Sequence, residues 1–201
     1  MLKEFTDKLV KDEIIGPEDK ALYLFGFKQA LHHLITILSV FLLSFIFDAF
    51  WIALFFLLFY TPMRVFAGGF HAKTPTRCYI VNNLMLIGIF LASDYFAWGI
   101  KPLLIITIAS AVVILGLAPV EDKNKPLDVY EVKVYRRRTG VIVAAELLLF
   151  AIGLIYEVKL LSTAICLAVL LLAVMLVLGK IKNVVTAPPD WAITKLGKSQ
   201  K

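Results

Sequence analysis

The sequence predicts an all-α protein: a polytopic bundle of about six membrane segments, preceded by an amphipathic helix, with both termini in the cytosol. Hydrophobic residues make up 60% of the 201-residue chain and the mean hydropathy is +0.85, whereas soluble domains are about 45–50% apolar. The basic residues are concentrated in alternate connections between the apolar runs, which is typical of a multi-pass membrane protein. The length is compatible with a single membrane domain, residues 1–201.

The first 28 residues predict an amphipathic interfacial region. They lack the continuous apolar core and the small-residue cleavage site of a signal peptide. Leu2, Phe5, Leu9 and Val10 follow helical spacing with charged residues between them. Such a helix either lies on the lipid surface or packs on the cytosolic face of the protein itself, and the sequence leaves both arrangements open.

Six apolar runs follow, and each predicts a membrane segment. A spanning helix needs about 20 apolar residues, so a chain of this length holds at most about five or six spans. Run 49–63 is short for a full span, and we expect a tilted or re-entrant helix there. The six runs cover residues 30–47, 49–63, 79–98, 102–119, 139–156 and 160–179.

The positions of lysine and arginine predict the orientation of these segments. With six crossings and a cytosolic N-terminus, 19 of the 21 basic residues fall inside, and Lys101 and Lys159 are left outside. The external loops are very short, so we expect the chemistry on the cytosolic side or within the bilayer. The basic excess also fits anionic lipid headgroups, and no nucleic-acid-binding motif accompanies it. The cytosolic regions are residues 1–28, 64–78, 120–138 and 180–201.

The loop 64–78 reads RVFAGGFHAKTPTRC and contains a candidate thiol site. On a straight helix His71 and Cys78 would lie about 10 Å apart along the axis, whereas a nucleophile and its base need about 3 Å. We therefore expect a bend, and the Thr74–Pro75 step provides it because proline interrupts a helix. Cations in the loop and the start of a helix at Cys78 would both favour a thiolate.

Other interpretations of these residues stay open on spacing alone. A histidine and a cysteine in one loop also fit a headgroup contact and an ordinary helix start. A structural zinc site needs four ligands, and besides His71 the sequence has only His32 and His33, so we expect no metal and no cofactor. Cys166 lies in an apolar run, where a thiol behaves as a small buried hydrophobe.

The stretch from Arg64 to Cys78 resembles the signature of the accessory gene regulator B (AgrB) family of membrane endopeptidases. The matching positions in this sequence are Arg64, Gly69, His71, Ala72 and Cys78. A second stretch, APVEDKNKPLDVYEVKVYRRR, is similar to the family's Pro-then-Lys-Pro cytosolic loop with its basic cluster. Its matching positions are Pro119, Lys125, Pro126, Arg136, Arg137 and Arg138. The resemblance covers nearly the whole chain.

This resemblance implies a cysteine endopeptidase of the cytoplasmic membrane with its active site on the cytosolic side. AgrB-like proteins remove the C-terminal tail of an AgrD-type precursor peptide and keep the rest as a thioester on the cysteine. An internal Cys or Ser of the peptide then closes a thiolactone or lactone, the precursor of a quorum-sensing pheromone. The resemblance assigns Cys78 as the nucleophile and His71 as the general base and acid.

Supporting roles fall on residues near these two. Arg64 is a candidate for orienting the substrate or holding its acidic tail, and Gly68 and Gly69 are candidates for close backbone access. Asn82 follows Cys78 by one helical turn and could orient the imidazole or donate to an oxyanion. Basic residues suited to an acidic precursor tail, or to membrane anchoring alone, are Lys125, Arg136, Arg137 and Arg138.

Two other function classes stay open from the sequence. A peptide or ion transporter would use the 64–78 loop as a gate. The sequence has few intramembrane charges and no internal repeat, and both observations count against a transporter. A non-catalytic membrane adaptor would use the loop to dock a partner. The expected partners are the precursor peptide and an anionic lipid membrane, and a homodimer would be unsurprising for a small membrane enzyme.

Overall fold

The computed structural model describes residues 2–70, 72, 74–95, 99–121 and 127–186. Over these residues the chain forms helices and no β-strand, which confirms the predicted all-α bundle. In chain order the helices are α1 Leu2–Lys11, α2 Lys20–Ile46, α3 Phe50–Ala67, α4 Pro75–Tyr95, α5 Ile100–Leu117, α6 Val129–Ile155 and α7 Lys159–Thr186.

Five of the described helices, α2, α3, α5, α6 and α7, are long and apolar enough to cross a membrane. The protein is therefore a multi-pass membrane protein. The apolar part of α4 is shorter and covers Thr76–Ala92. Helix α3 is longer than run 49–63, because it continues through Pro62 and Arg64 to Ala67 and reaches 18 residues.

Most of the helices begin before the apolar runs that predict them. A helix satisfies its own backbone hydrogen bonds, so it can continue into water where the apolar run stops. At the start of α6, Glu131 N donates to Asp128 Oδ1 (2.7 Å) and Asp128 N donates to Glu131 Oε2 (3.1 Å), which forms a capping box. Consequently the predicted basic loop 120–138 is helical from Val129 onward, and its three arginines lie within α6.

Helix α7 forms the centre of the bundle. In its most apolar stretch 67% of the residues are buried inside the protein, against 11% for α2. It packs against α3, α5 and α6, and Ala164 to Val169 are all buried. Cys166 belongs to this stretch, as its apolar run predicts. Inside a membrane such close contact is stabilised mainly by van der Waals packing, and small residues such as Ala164 and Ala168 permit it.

Helix α1 confirms the predicted N-terminal amphipathic helix and packs against α2. The ring of Phe5 meets that of Phe27 edge-on at 5.3 Å between centroids, and Lys20 pairs with Asp7. Helix α2 then contacts α3 and α4 at the side of the bundle.

The connections are divided unequally between the two ends of the bundle. Two of the turns are three residues long, 47–49 between α2 and α3 and 156–158 between α6 and α7. At the other end, which we call the loop end, the α3–α4 and α5–α6 connections contact each other and the last turns of α7. The predicted topology places these three regions on one side of the membrane, in agreement with the contacts.

Candidate active site

The Gly-Gly segment after α3 is paired with the connection between α5 and α6. Val120 N donates to the carbonyl of Ala67 (2.9 Å), and Gly69 N donates to the carbonyl of Val120 (3.1 Å). Gly68 has a φ of 71° and Gly69 a φ of 118°, a region that side chains disfavour. A Cβ on Gly68 would also collide with the Val120 carbonyl. The two stretches that suggested a function are thus joined in space by backbone hydrogen bonds.

The next residue of the same segment is held by α7. Phe70 N donates to the carbonyl of Met175 at 2.8 Å. This approach depends on Gly179, because a Cβ there would lie 2.8 Å from both the carbonyl carbon of Gly69 and the nitrogen of Phe70. The segment 68–70 is therefore fixed on two sides, by the α5–α6 connection and by the central helix.

Gly179→Ala is expected to destabilise the protein, although Gly→Ala inside a helix normally stabilises by about 0.5–1 kcal/mol. The added methyl group meets backbone atoms of residues 69 and 70, which cannot rotate away. We expect a net loss of about 1–3 kcal/mol, as is usual for overpacking. Thermal unfolding in detergent measures the change.

Gly116→Ala is the matched control. Gly116 also lies inside a helix, α5, and a Cβ there meets nothing within 4 Å. The control should be neutral or slightly stabilised. Equal melting temperatures for the two variants would contradict the close approach of α7 to the segment 68–70.

Arg64 organises the same segment from the last turn of α3. Its Nη1 donates to the carbonyl of Gly68, and its Nη2 donates to the carbonyl of Phe70 (2.5 Å). The guanidinium is half-buried, and its planar fork of donors suits two neighbouring acceptors. The backbone that leads to residue 71 is thus shaped by Arg64.

Cys78 lies in the first turn of α4 and is a half-buried free thiol. The helix begins at Pro75, a favoured first residue, and the Thr74 hydroxyl accepts a hydrogen bond from Arg77 N (3.3 Å). Cys78 N donates to the carbonyl of Thr74 at 3.0 Å. The predicted interruption at the Thr74–Pro75 step is confirmed, and Cys78 stands where a helix dipole favours negative charge.

Tyr60 is a residue of this region that the sequence reasoning missed. Its hydroxyl interacts electrostatically with both the Arg64 guanidinium and the Cys78 thiol, which brings the end of α3 near the start of α4. Its ring stacks on Phe56 at 5.1 Å. The signal was present in the spacing, because Tyr60 and Arg64 are four residues apart and share one helix face.

The residues that follow Cys78 contact α2 or their own helix. The Tyr79 and Ser39 hydroxyl oxygens are 2.5 Å apart, and the His32 ring meets the Tyr79 ring edge-on. Asn83 Nδ2 donates to the Tyr79 carbonyl at 2.9 Å. Asn82, the predicted polar partner of the site, is half-buried on the same helix.

Two basic side chains lie over the aromatic rings that flank the Gly-Gly segment. The guanidinium of Arg138 lies 5.1 Å from the centroid of the Phe66 ring, and Lys182 Nζ lies 5.7 Å from that of Phe70. Arg136 and Arg137 are exposed on the same part of α6. The predicted basic cluster therefore stands beside the end of α3.

Two predicted site residues, His71 and Lys125, lie outside the described residues. The structure joins Arg64 to Gly68 and Phe70, and Gly69 to Val120, by hydrogen bonds. Tyr60 lies within electrostatic range of both Arg64 and Cys78.

Comparisons with known proteins agree on one family. A family model described as Accessory gene regulator B matches residues 2–176. An AgrB-like protein of Clostridium perfringens (strain SM101 / Type A) is 27% identical over 155 residues, which cover 74% of this chain and 72% of that protein. AgrB-like protein 2 of Clostridium perfringens (strain 13 / Type A) is 28% identical over 156 residues, with the same coverage. No solved structure matches the chain significantly.

Proposed function

Because the chain belongs to the accessory gene regulator B family, we propose that it is a membrane cysteine endopeptidase acting on an AgrD-type precursor peptide. It removes the C-terminal tail of the peptide and promotes closure of the remainder into a thiolactone or lactone. The observation that carries this proposal is the position of Cys78. A half-buried thiol stands in the first turn of a helix, directly after the connection that Arg64 and the Gly-Gly segment organise.

In the first step the Cys78 thiolate attacks the carbonyl carbon of the scissile peptide bond. The C–N bond breaks, a thioester forms between the peptide and Sγ, and a proton passes to the leaving amine. His71 takes the thiol proton and returns it to that amine, the role that its place in the family pattern gives it. The N-terminal end of α4, where Cys78 stands, supports the anionic nucleophile electrostatically.

In the second step an internal thiol or hydroxyl of the bound peptide attacks the thioester carbonyl. Its proton is transferred to restore the Cys78 thiol, and the new ester or thioester closes the ring. Exchange of one thioester for another is nearly neutral in bond type, so hydrolysis is the competing loss. The half-buried position of Cys78 limits the access of water and supports cyclisation over hydrolysis.

The basic cluster supports an acidic segment as part of the substrate. Arg136 and Arg137 are exposed, and Arg138 and Lys182 stand over the rings that flank the Gly-Gly segment. A precursor tail with several carboxylates would be attracted to this side of the molecule. The same charges support a cytosolic position for the loop end, because positive residues accumulate on that side of a membrane.

The proposal is tested by reconstituting the protein in liposomes with a candidate precursor peptide. We expect mass spectrometry to detect the released tail and a peptide adduct on Cys78 that hydroxylamine removes, as it cleaves thioesters. Binding of the peptide without a released tail or an adduct would contradict the peptidase and indicate an adaptor. Movement of the intact peptide into the liposomes would indicate a transporter.

A further inference from the structure

We propose that Tyr79 and Ser39 are positioning residues, which fix the rotation of the first turn of α4 and thereby the direction of the Cys78 thiol. The proposal rests on the function proposed above, because a fixed thiol direction matters to a nucleophile. It assigns a role in the reaction to two residues on separate helices that belong to neither of the matching stretches.

A hydrogen bond between Tyr79 and Ser39 joins α4 to α2. The Tyr79 and Ser39 oxygens are 2.5 Å apart, and Ser39 Oγ is also 2.8 Å from the carbonyl of Ile35, one turn earlier on α2. A hydroxyl group has a single hydrogen to donate. When Ser39 donates to Ile35, its oxygen accepts the hydrogen of Tyr79, and both bonds are satisfied together.

Helix α4 is held in the bundle mainly by α2. Helix α4 packs mainly against α2 and makes a smaller contact with α7. In residues 76–83 of α4, which are all described, the bond from Tyr79 is the side-chain hydrogen bond found to another helix. The His32 ring, 6.2 Å from the Tyr79 ring and edge-on to it, supports the tyrosine from the same helix. The orientation of this end of α4 therefore depends on Tyr79.

Helix geometry couples the direction of the Cys78 side chain to that of Tyr79. Tyr79 directly follows Cys78, so the two side chains leave α4 about 100° apart. Fixing the far end of the long tyrosine side chain restrains rotation of the whole turn. A rotation of about 20° would move an atom about 4.5 Å from the helix axis by about 1.6 Å. A misplacement of about 1 Å can reduce a reaction rate by about 100-fold.

The test compares Tyr79→Phe, Ser39→Ala and the double variant in a Cys166→Ala background, where Cys78 is the remaining thiol. The first readout needs no catalysis: a nitroxide attached to Cys78 reports its mobility by electron paramagnetic resonance. We expect higher mobility in all three variants. The second readout is kinetic, and we expect kcat for tail release to fall about 10-fold while KM changes less than about 2-fold.

Thr36→Ala is the matched control. Thr36 also lies on α2 and donates to a carbonyl one turn earlier, that of His32 (2.9 Å), and its hydroxyl makes no hydrogen bond with a described residue of α4. It should change neither readout. Ser39→Thr keeps the hydroxyl group and should retain both the low mobility and the wild-type kcat, which separates a lost hydrogen bond from a general loss of stability.

The outcomes distinguish this proposal from the proposed function. Unchanged nitroxide mobility in Tyr79→Phe and Ser39→Ala would overturn the positioning role. Losses of kcat that simply add in the double variant would also overturn it, since removing either partner of one bond should have the same effect as removing both. If peptide processing persists after removal of the Cys78 thiol, the proposed function fails, and the mobility of the label still decides whether Tyr79 and Ser39 orient the turn.

Discussion

Cys78→Ala is expected to abolish tail release and the covalent adduct, with a loss of at least about 10³-fold in kcat. Alanine removes the sulfur atom that attacks the peptide and carries the thioester, and no other thiol of the chain can replace it, because Cys166 is fully buried in α7. Single-turnover assays in liposomes, with mass spectrometry of both products, measure the loss. The exchange removes one atom from a half-buried site, so the bundle should remain folded.

Cys166→Ala is the natural control for this experiment. The Cys166 thiol donates a weak hydrogen bond to the carbonyl of Leu103 (3.9 Å), within the contact between α5 and α7. Its loss leaves a small cavity, which should lower the melting temperature slightly and leave kcat within about 2-fold. Retention of the tail-releasing activity in Cys78→Ala, or its loss in Cys166→Ala alone, would contradict the assignment of the nucleophile.

Arg64→Met is expected to reduce processing by about 100-fold while the protein still inserts in the membrane. The exchange removes both bonds to the carbonyl groups of Gly68 and Phe70, and bonds from a charged donor contribute about 1.5–3 kcal/mol each. It also removes a positive charge that acts electrostatically on Tyr60, a neighbour of Cys78. The segment before residue 71 should loosen, which faster hydrogen exchange of the Gly69 and Phe70 amides would reveal.

Arg64→Lys separates charge from geometry. Lysine keeps the positive charge but has no planar fork, so it cannot reproduce the paired donation to two carbonyl groups. We expect it to recover only a small part of the lost activity. Lys133→Met removes an exposed charge near the start of α6, and this variant should process the peptide normally. Full activity in Arg64→Lys would show that the charge alone is needed.

Much of the bundle could be predicted from the sequence because membrane segments have a simple physical signature. The apolar runs located the six long helices of the described residues, and the start of α4 before Cys78 followed from Pro75. The ends of the helices could not be predicted in the same way. Hydropathy measures contact with lipid, whereas a helix such as α6 begins in water, at Val129, ten residues before its apolar run begins.

The sequence indicated which residues belong to the candidate site, but not which distant residues they contact. Arg64, Gly69 and Cys78 stand close in the sequence, so one pattern contains them. The pairing of Gly68 with Val120 and of Phe70 with Met175 joins residues far apart in the chain, and local spacing carries no information about such pairs. Gly179 could not be recognised either, because a glycine inside an apolar helix gives no sign of the backbone that packs on it.

The anchoring of Phe70 by Met175 has a consequence for the order of events during synthesis. The acceptor carbonyl is translated 105 residues after the amide that binds it, which takes roughly 5–20 s at ordinary rates of elongation. Until α7 enters the bundle, the segment leading to residue 71 lacks its anchor on the central helix. During synthesis the candidate site is therefore incomplete, and its geometry is completed only when α7 joins the bundle.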